Sequence, residues 1–159
     1  MGYDIYIGEA EIDDYPDGSP MLRVNRREEA AAPMFPGDDL TGRSNSRHPS
    51  YTGWSEFCRK TGLYDLFFDE SVGLMRRHPG IERITPRVLA TVRASLDAYQ
   101  TTYPSAQPGW CRCQVCLPYA AVPDAAHVHL DGDLARLTWL AWWMDWAIRE
   151  CRRPCCYNS

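Results

Sequence analysis

Apolar and polar residues alternate from Tyr3 to Ile12, with Tyr3, Ile5 and Ile7 on one side and Asp4 and Tyr6 on the other. A period of two predicts a half-buried strand. Tyr15-Pro16-Asp17-Gly18 then supplies a turn, because proline presets φ and glycine accepts a positive φ. Met21 to Asn25 alternates again, so the N-terminal segment predicts a β-hairpin reaching toward Arg27. Glu28 to Ala32 fits a short helical turn before Pro33. Further on the period lengthens. Ser50 is placed to cap a helix that Gly62 ends, with Trp54, Phe57 and Cys58 on one face. Leu63 to Phe68 is a short apolar run compatible with helix or strand, and Gly73 to Gly80 reads as a connector. Thr85-Pro86 starts another helix, in which Val88, Leu89, Val92, Leu96 and Tyr99 keep helical spacing to about Gln100.

The last helix carries the clearest pattern. Asp131 or Asp133 caps it, and it runs from Leu134 to about Arg152. Leu137, Leu140, Ala141, Met144, Ala147, Ile148 and Cys151 form an aliphatic face, while Trp139, Trp142, Trp143 and Trp146 form a separate aromatic ridge. A helix apolar on two faces is buried on two sides, so this one is expected to be the central pillar. The ridge has two further readings: a homodimer interface, or the docking surface for a host protein. The predicted fold class is α+β: an N-terminal β-hairpin, forming a small antiparallel sheet, packed with three or more helices around the Trp-rich C-terminal helix.

Composition narrows the function. With 159 residues and 45% apolar content, the chain is expected to form a single globular domain over 1–159. A formal charge of −4 argues against generic nucleic-acid binding. Met1-Gly2-Tyr3-Asp4 has no basic n-region, and no run approaches eighteen apolar residues, so no membrane association and a cytoplasmic location are expected. Of 17 basic residues only Lys60 is a lysine. The arginines are planar forks suited to phosphate, carboxylate and ring contacts.

The long polar loop from Asp38 to Tyr51 is the first candidate for chemistry. Arg43 and Arg47 suit a clamp on an anion, Asn45 and Ser46 offer short donors, and Tyr51 and Trp54 offer ring surfaces. Arg47-His48-Pro49 is echoed by Arg77-His78-Pro79, so Arg76, Arg77 and His78 are expected to enter the same concave site from the second connector. The alternative is a loop pinned to its own domain by Asp–Arg pairs. A second candidate is Cys111, Cys113 and Cys116 with His127 and His129, a ligand set for structural zinc. Seven cysteines without a signal peptide leave free thiols as the other reading. No Gly-x-Ser-x-Gly elbow or phosphate-binding fingerprint occurs, and no catalytic residue is assigned. Asp38-Asp39 and Asp69-Glu70 are adjacent acidic pairs suited to a divalent ion or to loop solubility.

Phe35-Pro36-Gly37-Asp38, Asn45 to Tyr51, Gly73 to Arg76 with His78-Pro79-Gly80, and Leu134 to Trp143 together resemble an uncharacterised family of small phage and prophage proteins from GC-rich bacteria. The Cys111–Cys116 run lies outside that likeness. The resemblance implies a phage context, in the host cytoplasm, and small proteins of this kind often inhibit host functions. The expected function is therefore a non-enzymatic anti-defence sponge that binds a nucleotide-derived, phosphorylated, ring-containing signal. Two other classes remain: an enzyme acting on a nucleotide or nucleic acid through His48 or His78 with an acidic pair, and a protein–protein inhibitor working through the Trp ridge.

Overall fold

The structure, a computed structural model, describes residues 1–38, 42–111 and 129–159. Its elements in chain order are strand β1 (Ile5–Glu9), a hairpin of β2 (Glu11–Asp14) and β3 (Pro20–Arg23), and the short strand β4 (Ser46–Arg47). Helices α1 (Tyr51–Lys60) and α2 (Tyr64–Phe68) follow, then β5 (Gly80–Arg83) and α3 (Pro86–Thr102). Two-residue strands β6 (Gln107–Pro108) and β7 (Leu130–Asp131), helix α4 (Gly132–Glu150) and strand β8 (Pro154–Asn158) complete the chain. The fold is α+β.

The helix boundaries follow from their caps. Ser50 accepts a hydrogen bond from the Gly53 amide at 3.1 Å and opens α1. Thr85 accepts from Val88 at 3.3 Å with Pro86 in the first turn of α3. Asp131 Oδ1 accepts from both Asp133 and Leu134 at 2.9 Å and opens α4. Gly62 follows the end of α1 at φ 73°, a conformation that suits glycine.

The sheet departs from the sequence expectation. Alternation from Tyr3 to Ile12 breaks at Ala10: β1 leaves the hairpin and joins a four-stranded antiparallel sheet in the order β4-β1-β8-β5. Its main partner, β8, lies at the far end of the chain, with Tyr6 opposite Tyr157 and Ile7 opposite Cys156. Neither β8 nor β5 shows a strand pattern of its own; the first starts at a proline and the second follows a turn-rich connector. Among the described residues only β2 and β3 pair as a hairpin, around the turn in which Gly18 donates to the Tyr15 carbonyl at 2.8 Å.

One sheet face contributes Ile5, Ile7 and Cys156 to the core, where α4 packs against β1 and α3 packs against α4. Leu137, Leu140, Met144 and Ala147 are buried on α4, and so are Trp139, Trp143 and Trp146. Trp139 donates its indole N–H to the Ser44 carbonyl at 2.9 Å. The aromatic ridge is therefore interior, with Trp142 half-buried at its margin. That placement removes the ground for a homodimer or a host-protein interface through it, since an indole packed inside the protomer has no surface to offer. No helix among the described residues is long and apolar enough to cross a membrane.

Candidate functional site

The polar loop runs into the interior. Ser44, Asn45, Ser46 and Arg47 are all buried. Asn45 accepts from the Arg27 amide at 2.6 Å and donates to the carbonyls of Ile7 and Asn25 at 3.0 Å each. Ser44 and Ser46 share a hydrogen bond of 2.8 Å. Arg47 pairs with Asp38 at 3.0 Å, and its guanidinium lies 4.9 Å from the centre of the Trp139 ring and 5.8 Å from that of Trp110. Burial pushes the Arg47 guanidinium down to about 10, against the opposing pull of Asp38. Gly37, at φ 79°, lies against the Trp110 carbonyl where a Cβ would clash, which brings Asp38 to this place. Arg43 donates to the Ala30 carbonyl. Trp54 is fully buried against Phe57 and Phe67.

These contacts correct the expected pocket. Asn45, Ser46, Arg47 and Trp54 pin the domain together, as the Asp–Arg alternative anticipated, and do not line a concave site with Arg43, His48 and Tyr51. The physical reason is long-range: Asn45 finds its carbonyl partners 38 and 20 residues away.

His48, just after β4, meets Asp4, just before β1, at 2.6 Å. Arg76 forms a bidentate pair with Glu82 at 2.6 and 3.0 Å and donates to the Ser71 carbonyl. Arg77 is exposed. His78 and Tyr51 do come together: the Tyr51 hydroxyl lies 3.3 Å from His78 Nε2. Asp38 belongs to Arg47, and Asp69 accepts from the amides of Ser71 and Val72, which hold its carboxyl below the usual range. Asp39 lies outside the described residues.

Of the zinc ligand set, Cys113, Cys116 and His127 lie outside the described residues. Cys111 Sγ and His129 Nδ1 are 3.9 Å apart. Among the described residues no three metal-binding side chains gather. Cys58, Cys155 and Cys156 are buried, and burial raises every one of these thiols; Cys155 is pushed up to about 12 and the half-buried Cys151 to about 11. Protonated thiols in these positions are packing groups rather than nucleophiles.

Several cavities among the described residues carry cations. One of about 250 Å³ is lined by Arg26 and Arg27 together with Glu9 and Glu11. Another, about 440 Å³, lies at the start of α4 between Lys60, Trp110, His129 and Arg136. Its charges are already matched: Asp133 takes Lys60 at 2.7 Å and Arg136 at 2.9 Å. A third, about 290 Å³, is lined by Arg83 of β5 and by Arg152 and Arg153 of the α4–β8 connector, over Ile81, Pro154 and Cys155. Glu9 holds Arg153 through its backbone amide at 3.0 Å and its guanidinium at 3.5 Å. Among the described residues Arg83 and Arg152 have no carboxylate partner.

The strand registers extend this cavity into a surface. Ile81 stands opposite Tyr157 and Arg83 opposite Cys155, so all four share the sheet face turned away from Ile5 and Ile7. Tyr6 shares that face, its ring 6.1 Å from Tyr157 and 6.1 Å from His48. Solvated antiparallel faces usually carry polar residues; this one carries two half-exposed tyrosines and an isoleucine beside unmatched guanidinium groups. The sequence signal that marks it is Arg152-Arg153 directly after the helix, which gains meaning only once β5 and β8 are known to pair. No protein-family model, curated protein or solved structure matches this chain.

Proposed function

We propose that the protein binds a phosphorylated, ring-containing small molecule of the nucleotide class and holds it unchanged. The observation that carries this reading is the cavity between Arg83, Arg152 and Arg153, in which two of the three guanidinium groups lack a carboxylate partner among the described residues. A phosphate leaving water needs charged donors already in place, and each charged hydrogen bond contributes roughly 1.5–3 kcal/mol. A cavity of about 290 Å³ sits at the small end of ligand sites, enough for a phosphoryl group and sugar. The ring then lies outward across Ile81 onto Tyr157, with Tyr6 beyond it, where flat apolar walls favour stacking.

The same surroundings favour retention over turnover. Glu9, the carboxylate bonded to Arg153 of the cavity, is engaged by that arginine, and the thiol in the lining, Cys155, stays protonated. In the phage context implied by the sequence resemblance, such a protein sequesters a nucleotide-derived signal in the host cytoplasm. Heating purified protein and identifying the released small molecules by mass spectrometry tests this. The expected result is a phosphorylated, ring-bearing compound whose mass is unchanged after prolonged incubation with fresh protein. Conversion of that compound to products would contradict the reading.

A further inference from the structure

Tyr51, His78 and Asn158 lie on the other side of the sheet from the arginine cavity and form a chain of hydrogen bonds unrelated to it. Asn158 is fully buried on β8. Its amide nitrogen faces the carbonyls of Arg77 at 3.0 Å and Gly80 at 3.5 Å, so that end is the donor and Oδ1 is the acceptor end. Asn158 Oδ1 stands 2.8 Å from His78 Nδ1. The only pairing that satisfies both is a proton on Nδ1, which leaves Nε2 with its lone pair free to accept. Nε2 is the atom facing the Tyr51 hydroxyl at 3.3 Å. A buried amide thereby selects the imidazole tautomer whose outer nitrogen is a base, and the base is aimed at a phenol on the surface.

The phenol is accessible and walled. Tyr51 is 38% exposed at the start of α1. Its ring meets Tyr3 edge-on at 4.6 Å, and Tyr3 in turn stands 5.1 Å from the imidazole and 6.3 Å from Phe68. Among the described residues His78 Nε2 is the polar partner of this hydroxyl, with no guanidinium bonded to it. The walls around the hydroxyl are aromatic, which favours a neutral electrophile over a phosphate.

We infer that Tyr51 is a base-assisted nucleophile that accepts an acyl group from an uncharged activated ester. Tyr51 Oη forms a bond to the acyl carbon, the bond from that carbon to the leaving alkoxide or phenoxide breaks, and the phenolic proton passes to His78 Nε2. His78 becomes a cation and the leaving group departs as an anion, so charge and atoms balance. Asn158 is a positioning residue: it touches no reacting atom and acts through the imidazole.

The test uses the full chain, p-nitrophenyl acetate as the probe, and peptide mapping of the acetylated tyrosines. Tyr15 and Tyr103 are internal controls, since they are more exposed, at 50% and 46%. The expected result is acetylation of Tyr51 at least tenfold faster than of Tyr15 or Tyr103, falling to their rate in His78→Phe while theirs stay unchanged. Nitrogen chemical shifts of His78 should report the Nδ1-protonated tautomer, the signature the Asn158 bond dictates. Equal rates at Tyr51 and Tyr15 in the unaltered protein overturn the inference, whatever the folding of the variant. So does a proton found on Nε2 in the neutral ring.

Discussion

Arg47 and Asp38 form an ion pair at 3.0 Å inside the protein, both side chains less than a tenth exposed, with the guanidinium near the faces of Trp139 and Trp110. Removing one partner leaves the other charge buried, which typically costs 3–5 kcal/mol. Arg47→Ala should therefore lower unfolding stability by about that amount in urea denaturation. Nucleotide affinity of the remaining folded protein should change by less than about twofold, because the pair lies on the core side of the sheet. A double replacement, Asp38→Leu with Arg47→Met, should cost less than either single loss, since it removes both buried charges together.

Asp131 has two duties at the start of α4. Oδ1 caps the amides of Asp133 and Leu134, and Oδ2 accepts the Tyr99 hydroxyl at 2.8 Å. Losing a cap costs roughly 0.5–2 kcal/mol and stranding a partly buried hydroxyl about 1–3 kcal/mol. Asp131→Ala should lower stability by about 2–4 kcal/mol, and Tyr99→Phe by about 1 kcal/mol. Equal effects of the two variants would mean that the cap contributes nothing.

Alkaline pH should weaken the fold through its thiols. Burial pushes Cys151 up to about 11 and Cys155 up to about 12 from the ordinary value of 9.0, and Cys58 and Cys156 higher still. Above pH 9 the unfolded chain loses these protons while the folded protein keeps them. The folded state then binds more protons, so stability falls as pH rises. The slope is at most about 1.4 kcal/mol per pH unit for each thiol, with solvent screening reducing the share of half-exposed Cys151. Urea midpoints measured from pH 8 to pH 11 should fall progressively, and Cys155→Ala should flatten that decline. A midpoint independent of pH across this range would contradict the burial of these thiols.

Much of this fold is legible in the chain because helix caps are local. Ser50, Thr85 and Asp131 announce their helices within three residues, and the two apolar faces of α4 predict its burial. The sheet is not legible in the same way. Tyr6 and Tyr157 are paired across 151 positions, and a strand of five residues beginning at Pro154 carries no periodic pattern long enough to read. The proposed binding surface inherits that difficulty: Arg83 and Arg152 become neighbours only through the pairing of β5 with β8. Residue type alone misleads in the opposite direction at Asn45 and Arg47, whose polar side chains suit a ligand and a buried backbone equally well. Tyr51 and His78, both singled out by the sequence, do meet, but their junction depends on Asn158, which no motif marks.

The proposed binding of a ligand's phosphoryl group by Arg83 and Arg152 is open to calorimetric titration with a panel of nucleoside mono-, di- and triphosphates. At least one nucleotide should bind, Arg83→Ala and Arg152→Ala should each weaken it tenfold or more, and Tyr157→Ala should weaken it as well, all without loss of stability. Tenfold corresponds to about 1.4 kcal/mol, the lower end of one charged hydrogen bond. No binding of any nucleotide, or affinity unchanged in the double variant Arg83→Ala with Arg152→Ala, would contradict it.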